Sequence, residues 1–409
     1  MSDSGLRRRL SVLLAAAVLM GILGGLVETT FNNYLSESFG ISDRVRGYLE
    51  FPRELPGFLV TVVAGFLVSL SLNRVGFVAM ALAAVGAAGL AFSAGRFGMM
   101  LPFMVIYSTG VHLNIPTLDS LTLSTASRGR PATRLGQVGA AGILGGVCGA
   151  GLVAVLTGGE RRSYTTIYLL ASFFALAAAL ALVAMGSAHG QTRRRTFVFR
   201  KHYGLYYTLS ALYGARKQIF LTFGPWVIVR LFGQPPRTFA LLWITYSAFG
   251  LFFRPMMGRF IDWWGERRIL IAEGIVLAFV CITYALAGQA PRSPAALMAV
   301  MTVYVIDQLC FAVSMARTTY LSKIASRPED IPGSLASGVS IDHLASMMLP
   351  ILGGYVWERY GFQYVFIGAA FVAGASSIAS TFVRVPVEHP SPLEQAVHPD
   401  GAPPPRQSA

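Results

Sequence analysis

The chain is a succession of apolar runs, each about 20 residues long, parted by short polar or basic loops. Wound as a helix at about 1.5 Å per residue, such a run crosses the roughly 30 Å hydrocarbon core of a bilayer. No other feature constrains the fold as tightly. Backbone in hydrocarbon must satisfy its own hydrogen bonds, which leaves helices and closed barrels as spanning structures. Twelve runs can be marked: 10–35, 53–72, 75–93, 99–124, 136–157 and 164–186, then 205–230, 238–261, 269–288, 294–324, 334–357 and 364–383. The expected fold is therefore an all-α membrane protein of twelve transmembrane helices. Composition agrees: 54% of the 409 residues are apolar and 13% charged. A soluble domain carries about 25% charged residues.

Four segments follow. Residues 1–186 would form one six-helix bundle, 187–204 a basic connecting loop, 205–384 a second bundle, and 385–409 a Pro-rich tail without a core of its own. Arg7, Arg8 and Arg9 precede the first run as in a secretory signal, but 10–35 is too long for an h-region and is read as a retained span. Basic residues fall about nineteen to nine in favour of the loops on the side of both termini. The positive-inside rule then places the termini in the cytoplasm of a bacterial inner membrane. The net charge of +14 is spread through these short clusters rather than over one stripe, which argues against nucleic acid as a partner. Cys148, Cys281 and Cys310 all sit in apolar runs and read as small hydrophobes.

The two halves share a pattern. Phe39-Gly40 after the first run matches Phe232-Gly233 after the seventh, and Gly21 matches Gly214 at the same offset. Leu123-Ser124 matches Leu321-Ser322, which sets Asp119 opposite Arg317. Equal numbers of spans on either side of a basic loop complete the picture of a duplicated six-helix unit.

Between the eighth and ninth runs the chain reads Gly258-Arg-Phe-Ile-Asp262-Trp-Trp-Gly265-Glu-Arg267-Arg268. Glycine, an acid four residues on, a second glycine and a basic pair resemble the signature loop of the major facilitator superfamily. Gly265 would allow a tight turn and Gly258 a close helix approach, and Asp262 could pair with Arg267 or Arg268 or face a helix N-terminus. The resemblance implies two pseudo-symmetric six-helix bundles and a latch at this loop between inward- and outward-open states. The equivalent first-half loop, Asn73-Arg74-Val75-Gly76, has asparagine where the family has its acid. The stripe Gly136, Gly139, Gly142, Gly145 and Gly149 reads as helix packing rather than chemistry.

Ionisable groups inside a membrane are costly, so each is a functional candidate. The first, fourth, seventh and tenth runs carry Glu28; His112 and Asp119; Arg216 and Lys217; and Asp307 and Arg317. By the resemblance these are the helices that line a central cavity. Arg216, Lys217, Asp307, His112 and Asn32 are the candidate solute contacts, Glu28, Asp119 and Asp307 the candidate proton carriers, and Asp119 with Arg317 a candidate gating ion pair. His112 could equally be a core histidine bonded to a carbonyl, and one of the adjacent Arg216 and Lys217 could pair with a neighbouring helix. Arg254 reads as a structural pairing partner. Asp342, His343 and Ser340 share one helix and cannot form a catalytic trio.

The expected function is secondary active transport of a small organic anion or zwitterion by alternating access, coupled to protons. The expected form is a monomer with no cofactor. A drug or lipophile exporter is the alternative, and it would call for fewer cavity charges and more aromatic lining. Of other classes, an enzyme is disfavoured by the lack of a GxSxG elbow, an HExxH helix or another metal set. A sensor is disfavoured by polar segments too short to fold alone, and ATP-driven transport by the lack of a P-loop.

Overall fold

A computed structural model of the chain describes residues 3–66, 70–125, 131–158, 163–185, 199–327 and 330–385. The core of the expected connecting loop, including Arg193, Arg194 and Arg195, and all but the first residue of the expected tail lie outside the described residues. In chain order the elements are α1 (Asp3–Glu28), α2 (Phe31–Phe39), α3 (Asp43–Tyr48), α4 (Glu50–Phe66), α5 (Leu72–Ala91), α6 (Phe97–Ser124), α7 (Pro131–Leu156) and α8 (Tyr164–Ala184). They continue with α9 (Gly204–Arg230), α10 (Pro236–Ala287), α11 (Pro294–Cys310), α12 (Ser314–Ile324), α13 (Asp330–Tyr360) and α14 (Phe362–Ser380). Nine helices among the described residues are long and apolar enough to cross a membrane. α10 bends sharply at Gly265, whose φ of +78° lies outside the helical region. With α10 divided there, and with α1–α2, α3–α4 and α11–α12 each taken as one interrupted span, the elements group into the twelve spans expected from sequence.

Local chemistry sets several of these boundaries. The side chains of Ser42, Ser163 and Ser293 accept from the backbone N–H three residues on, capping α3, α8 and α11. Pro236 and Pro294 occupy first-turn positions, where the missing N–H costs nothing. Gly40 and Gly233, paired by the sequence repeat, both adopt left-handed φ, +58° and +63°, at the ends of their spans. Glycine takes that conformation without a Cβ penalty.

Packing repeats between the halves. In the first half α1 packs on α7 and α5 on both α6 and α8; in the second, α9 packs on α13 and α10 on both α11 and α14. These are equivalent span pairs, first with fifth, third with fourth and third with sixth. Each half is thus one bundle of the same design.

The glycine stripe of α7 explains the first of these pairs. A Cβ on Gly145 would lie 2.0 Å from the Val18 carbonyl oxygen, and one on Gly149 would lie 2.3 Å from that of Ile22. From the other side, a Cβ on Gly21 would meet the Gly142 oxygen at 2.1 Å. Backbone meets backbone, the close approach through which helices attract one another in lipid. Gly136 and Gly139 face open space and take no part. Gly145→Ala is therefore expected to destabilise by about 1–3 kcal/mol through overpacking. Gly139→Ala should leave thermal unfolding in detergent within about 0.5 kcal/mol of the parent.

The halves meet mainly where α13 crosses α3 and α4, where α7 crosses α10, and where α9 crosses α2 and α3. The far face, opposite the start of α1, is stitched by polar contacts. Asn33 donates to the Gln234 carbonyl at 2.8 Å, Trp226 Nε1 to Asp43 at 2.6 Å, and Arg44 approaches Glu358 at 3.6 Å. At the near face, Arg200 grips Asp330 through both oxygens at 2.8 and 2.9 Å. That bond holds the Asp330 carboxyl below its usual range and ties the chain ahead of α9 to the start of α13.

Candidate functional site

Among the described residues, two cavities bear on the candidate site. One, enclosing about 730 Å³ of space partly open to solvent, is bordered by Ile143 of α7 and by Trp243, Tyr246, Ser247, Gly250 and Arg254 of α10, with Gln308, Leu309 and Phe311. One wall thus comes from the first half and the rest from the second. The other, of about 410 Å³, is bordered by Glu28, Arg53, Tyr107, Ser108 and His112 with apolar neighbours, all in the first half. Tyr246 of the larger cavity stands within electrostatic reach of both Arg254 and Glu28.

Arg254 differs from the other intramembrane cations. It is exposed to the cavity and has no ion-pair or hydrogen-bond partner among the described residues. The structural pairing expected for it from sequence is not there. α10 turns this face inward because Trp243, Tyr246, Ser247, Gly250 and Arg254 recur at three- and four-residue spacing. An always-charged guanidinium with five free donors, bordered by a tryptophan, a tyrosine and an amide, suits a carboxylate or similar acid.

The cations expected at the solute site are already matched. Arg216 is bonded to Asp307, both buried. Lys217 Nζ donates to Asp342 at 2.8 Å. Arg317 takes Glu273 as its partner at 3.1 Å and lies 3.7 Å over the Tyr213 ring. In this state Glu273 of α10, rather than the gating partner Asp119 expected from the repeat, pairs with Arg317, and Asp119 is exposed toward the near-face end of α6. Arg216 Nη2, Asp307 Oδ2, Arg317 Nη2 and Glu273 Oε1 keep unsatisfied valences in this buried network.

Asn32 likewise serves protein rather than cavity, its Oδ1 accepting from Arg46 Nε at 2.9 Å. Arg46, counted from sequence among outer-loop charges, is in fact buried and paired with Glu50. Glu50 also accepts from Arg53 at 2.8 Å and, across the halves, from Gln218 at 2.8 Å. Sequence reasoning missed Glu50 because it began the second span at residue 53, and it passed over Arg53 and Glu54 as that span's first two residues. The signal was present in their three- and four-residue spacing, which puts them on one helical face.

His112 is bonded to its own helix, Nδ1 to the Ser108 carbonyl at 2.9 Å, and its Nε2 faces Glu54 at 3.7 Å. His343 reaches the same Glu54 oxygen at 3.2 Å. Residues 54, 112 and 343 are brought together from three helices of both halves.

In the signature loop Gly265 makes the turn, and Asp262, Arg267 and Arg268 are exposed. Asp262 has no partner among the described residues, so its expected pairing with Arg267 or Arg268 is absent. The ion pair at this loop is Glu266 with Lys323 of α12, at 2.6 Å. Gly258 faces open space, and no helix approaches it closely.

The sequence profile of the Major Facilitator Superfamily matches residues 13–339 and 207–407. The chain belongs to the major facilitator superfamily. A search among curated proteins finds no match. Solved structures of this fold superpose closely on the facilitator chain. The nucleoside transporter NupG does so at a TM-score of 0.73 with 14% identity, over 91% of this chain and 98% of its own. A bacterial homolog of the human lysosomal transporter Spinster, inward-facing and occupied, gives 0.70 and 14% over 94% and 97%. A D-xylose–proton symporter gives 0.69 and 15% over 93% and 98%.

Proposed function

We propose that this facilitator is a secondary transporter that moves a small zwitterionic or anionic organic solute across a bacterial inner membrane by alternating access, coupled to protons. One observation carries the reading: among the described residues Arg254 stands unpaired in a solvent-connected cavity between the halves. An ionisable group at membrane depth is retained where it faces a water-filled cavity and can take its counter-charge from a ligand. Glu28, exposed and bordering the smaller cavity of the first half, supplies an opposite charge for an amino group on the solute. Acid on Arg254 and amine toward Glu28 make a zwitterion the favoured substrate. Arg216, Lys217, Asp307 and Asn32 hold the site's frame through their pairs.

Proton coupling rests on Glu28. A carboxylate that opens on the smaller cavity can exchange a proton with water there, whereas Asp307 is locked to Arg216. With the termini in the cytoplasm, the stitched far face is the outer one, and the described state is inward-facing.

The test is uptake into proteoliposomes from a panel of amino acids, organic acids and lipophilic cations, with and without an imposed pH gradient. Gradient-stimulated uptake of a zwitterion, with Glu28→Gln losing the stimulation, supports the reading. Export of lipophilic cations with no zwitterion transport would install the drug exporter in its place. Zwitterion uptake indifferent to the gradient would remove proton coupling.

A further inference from the structure

The meeting of Glu54, His112 and His343 poses a problem in hydrogen-bond bookkeeping. His112 Nδ1 lies 2.9 Å from the Ser108 carbonyl and 3.1 Å from Ser108 Oγ. The carbonyl can only accept, and the Oγ proton is already given to the Arg53 carbonyl. Nδ1 must therefore carry the ring proton, which leaves Nε2 of a neutral imidazole with a lone pair. That nitrogen stands 3.7 Å from a carboxylate oxygen of Glu54. Two acceptors face each other in a buried place, an arrangement that a cation between them resolves.

The remaining geometry fits a metal ion. The same Glu54 oxygen lies 3.2 Å from His343 Nδ1, and the three donor atoms lie within 4.8 Å of one another. Ligands bonded at about 2.0–2.1 Å around a tetrahedral zinc stand roughly 3.3 Å apart. The His112 ring is oriented by a carbonyl on its far nitrogen, the outer-shell bond that metal-ligating histidines characteristically make. Gly57 makes room: a Cβ there would lie 2.5 Å from His112 and 2.7 Å from His343, so both rings lean over bare backbone. Charge agrees as well. Glu50 and Glu54 balance Arg46 and Arg53 when the histidines are neutral, and the Glu28 carboxyl borders the same cavity as His112, so no excess positive charge opposes an added cation.

We propose that Glu54, His112 and His343 form a three-ligand site for a divalent transition cation of the zinc–cobalt–nickel group. Two imidazoles and one carboxylate suit these borderline ions rather than calcium or magnesium, which take oxygen ligands. The fourth position faces the smaller cavity, which His112 also borders. Glu54 and His112 belong to the first half and His343 to the second. Seven residues before Glu54, on α3, Gly47 packs on the carbonyl of Pro350, seven residues beyond His343 on α13, in the seam that closes the far face. The ion therefore binds where that seam is shut, and it clamps the two halves in this state. The site is separate from the cavity at Arg254 and shares only the smaller cavity, through Glu28, with the solute reading, and metal binding is read without any solute.

The experiment uses the full chain, purified without a histidine tag and stripped with chelator, then titrated with Zn²⁺ or Co²⁺ alone. One ion per chain should bind and raise the thermal midpoint. Co²⁺ should give the visible bands of a tetrahedral N/O site. His112→Ala and His343→Ala should each weaken binding at least tenfold and remove the bands. His343→Cys guards against misfolding of the alanine variants. A thiolate at that position should add a sulfur-to-cobalt charge-transfer band above the background of the native cysteines. Absence of saturable binding to the parent, cobalt bands unchanged in His343→Ala, or no new band in the cysteine variant would each overturn the site. A stability profile that responds to pH between 5 and 8 but not to either metal would also overturn it, and would give the place of the cation to a proton on His112, beside Glu54, Arg53, Glu28 and His343.

Discussion

Asp307→Leu is expected to cost about 3–5 kcal/mol, enough to leave little folded protein in detergent. The reason is the partner it strands. Arg216 is buried among Tyr213, Phe220 and Phe311, each about 6 Å from the guanidinium, and among the described residues no second carboxylate is bonded to it. A guanidinium cannot shed its proton to escape burial. The reverse change, Arg216→Met, should cost less, because the stranded Asp307 carboxyl can take up a proton. The double variant Arg216→Met/Asp307→Leu should recover most of the loss, as well-packed apolar pairs often replace buried ion pairs without penalty. Thermal midpoints of the three proteins, read as a double-mutant cycle, check the order. Equal losses in all three would mean that the pair is incidental to the fold.

The second large effect belongs to Arg254, and it should fall on binding rather than folding. Arg254→Ala removes a side chain with no bonded partner among the described residues, so the ligand-free thermal midpoint should stay within about 0.5 kcal/mol of the parent. Affinity for an acidic solute should fall by about 10- to 150-fold, corresponding to about 1.5–3 kcal/mol for a charge-assisted hydrogen bond. Arg254→Lys, which keeps the charge but not the planar fork, should fall between them. The contrast with Asp307 is the point. One charge holds the protein together, and the other is free to hold something else. A ligand that stabilises the parent and Arg254→Ala equally would place the solute elsewhere.

Much of the architecture was legible in the sequence because the bilayer imposes a simple rule on length. Spans could be marked from apolar runs, and the repeat from Phe39-Gly40 and Phe232-Gly233 marked two turns that the structure shows in the same left-handed conformation. Packing by the glycines at 142, 145 and 149 followed from small side chains at helical spacing. Partnerships were harder, since a residue's neighbour across helices leaves no trace in a single chain. Arg317 could be aligned with Asp119 by the repeat, yet Glu273, on the adjacent helix, takes it. Arg46 looked like a loop charge because it precedes an apolar run, but the short helix α3 folds it inward onto Glu50. Arg254 looked structural because Asp262 lies eight residues on and on its face, yet both remain free. The cluster of Glu54, His112 and His343 draws on three helices and has no local motif at all.

The most direct measurement of the central claim is the aqueous reactivity of the Arg254 cavity from each side of the membrane. Ser247 borders that cavity, Cys281 and Cys310 are buried, and Cys148 is exposed. Ser247→Cys in a Cys148→Ser background can therefore be probed with an impermeant thiol reagent, in vesicles of both orientations. A water-filled cleft between two rocking halves predicts rapid labelling from the side of the termini, slow labelling from the other, and protection by an acidic solute that disappears in Arg254→Ala. A thiol at this position unreactive from both sides would show no aqueous path to Arg254 and would contradict the carrier account.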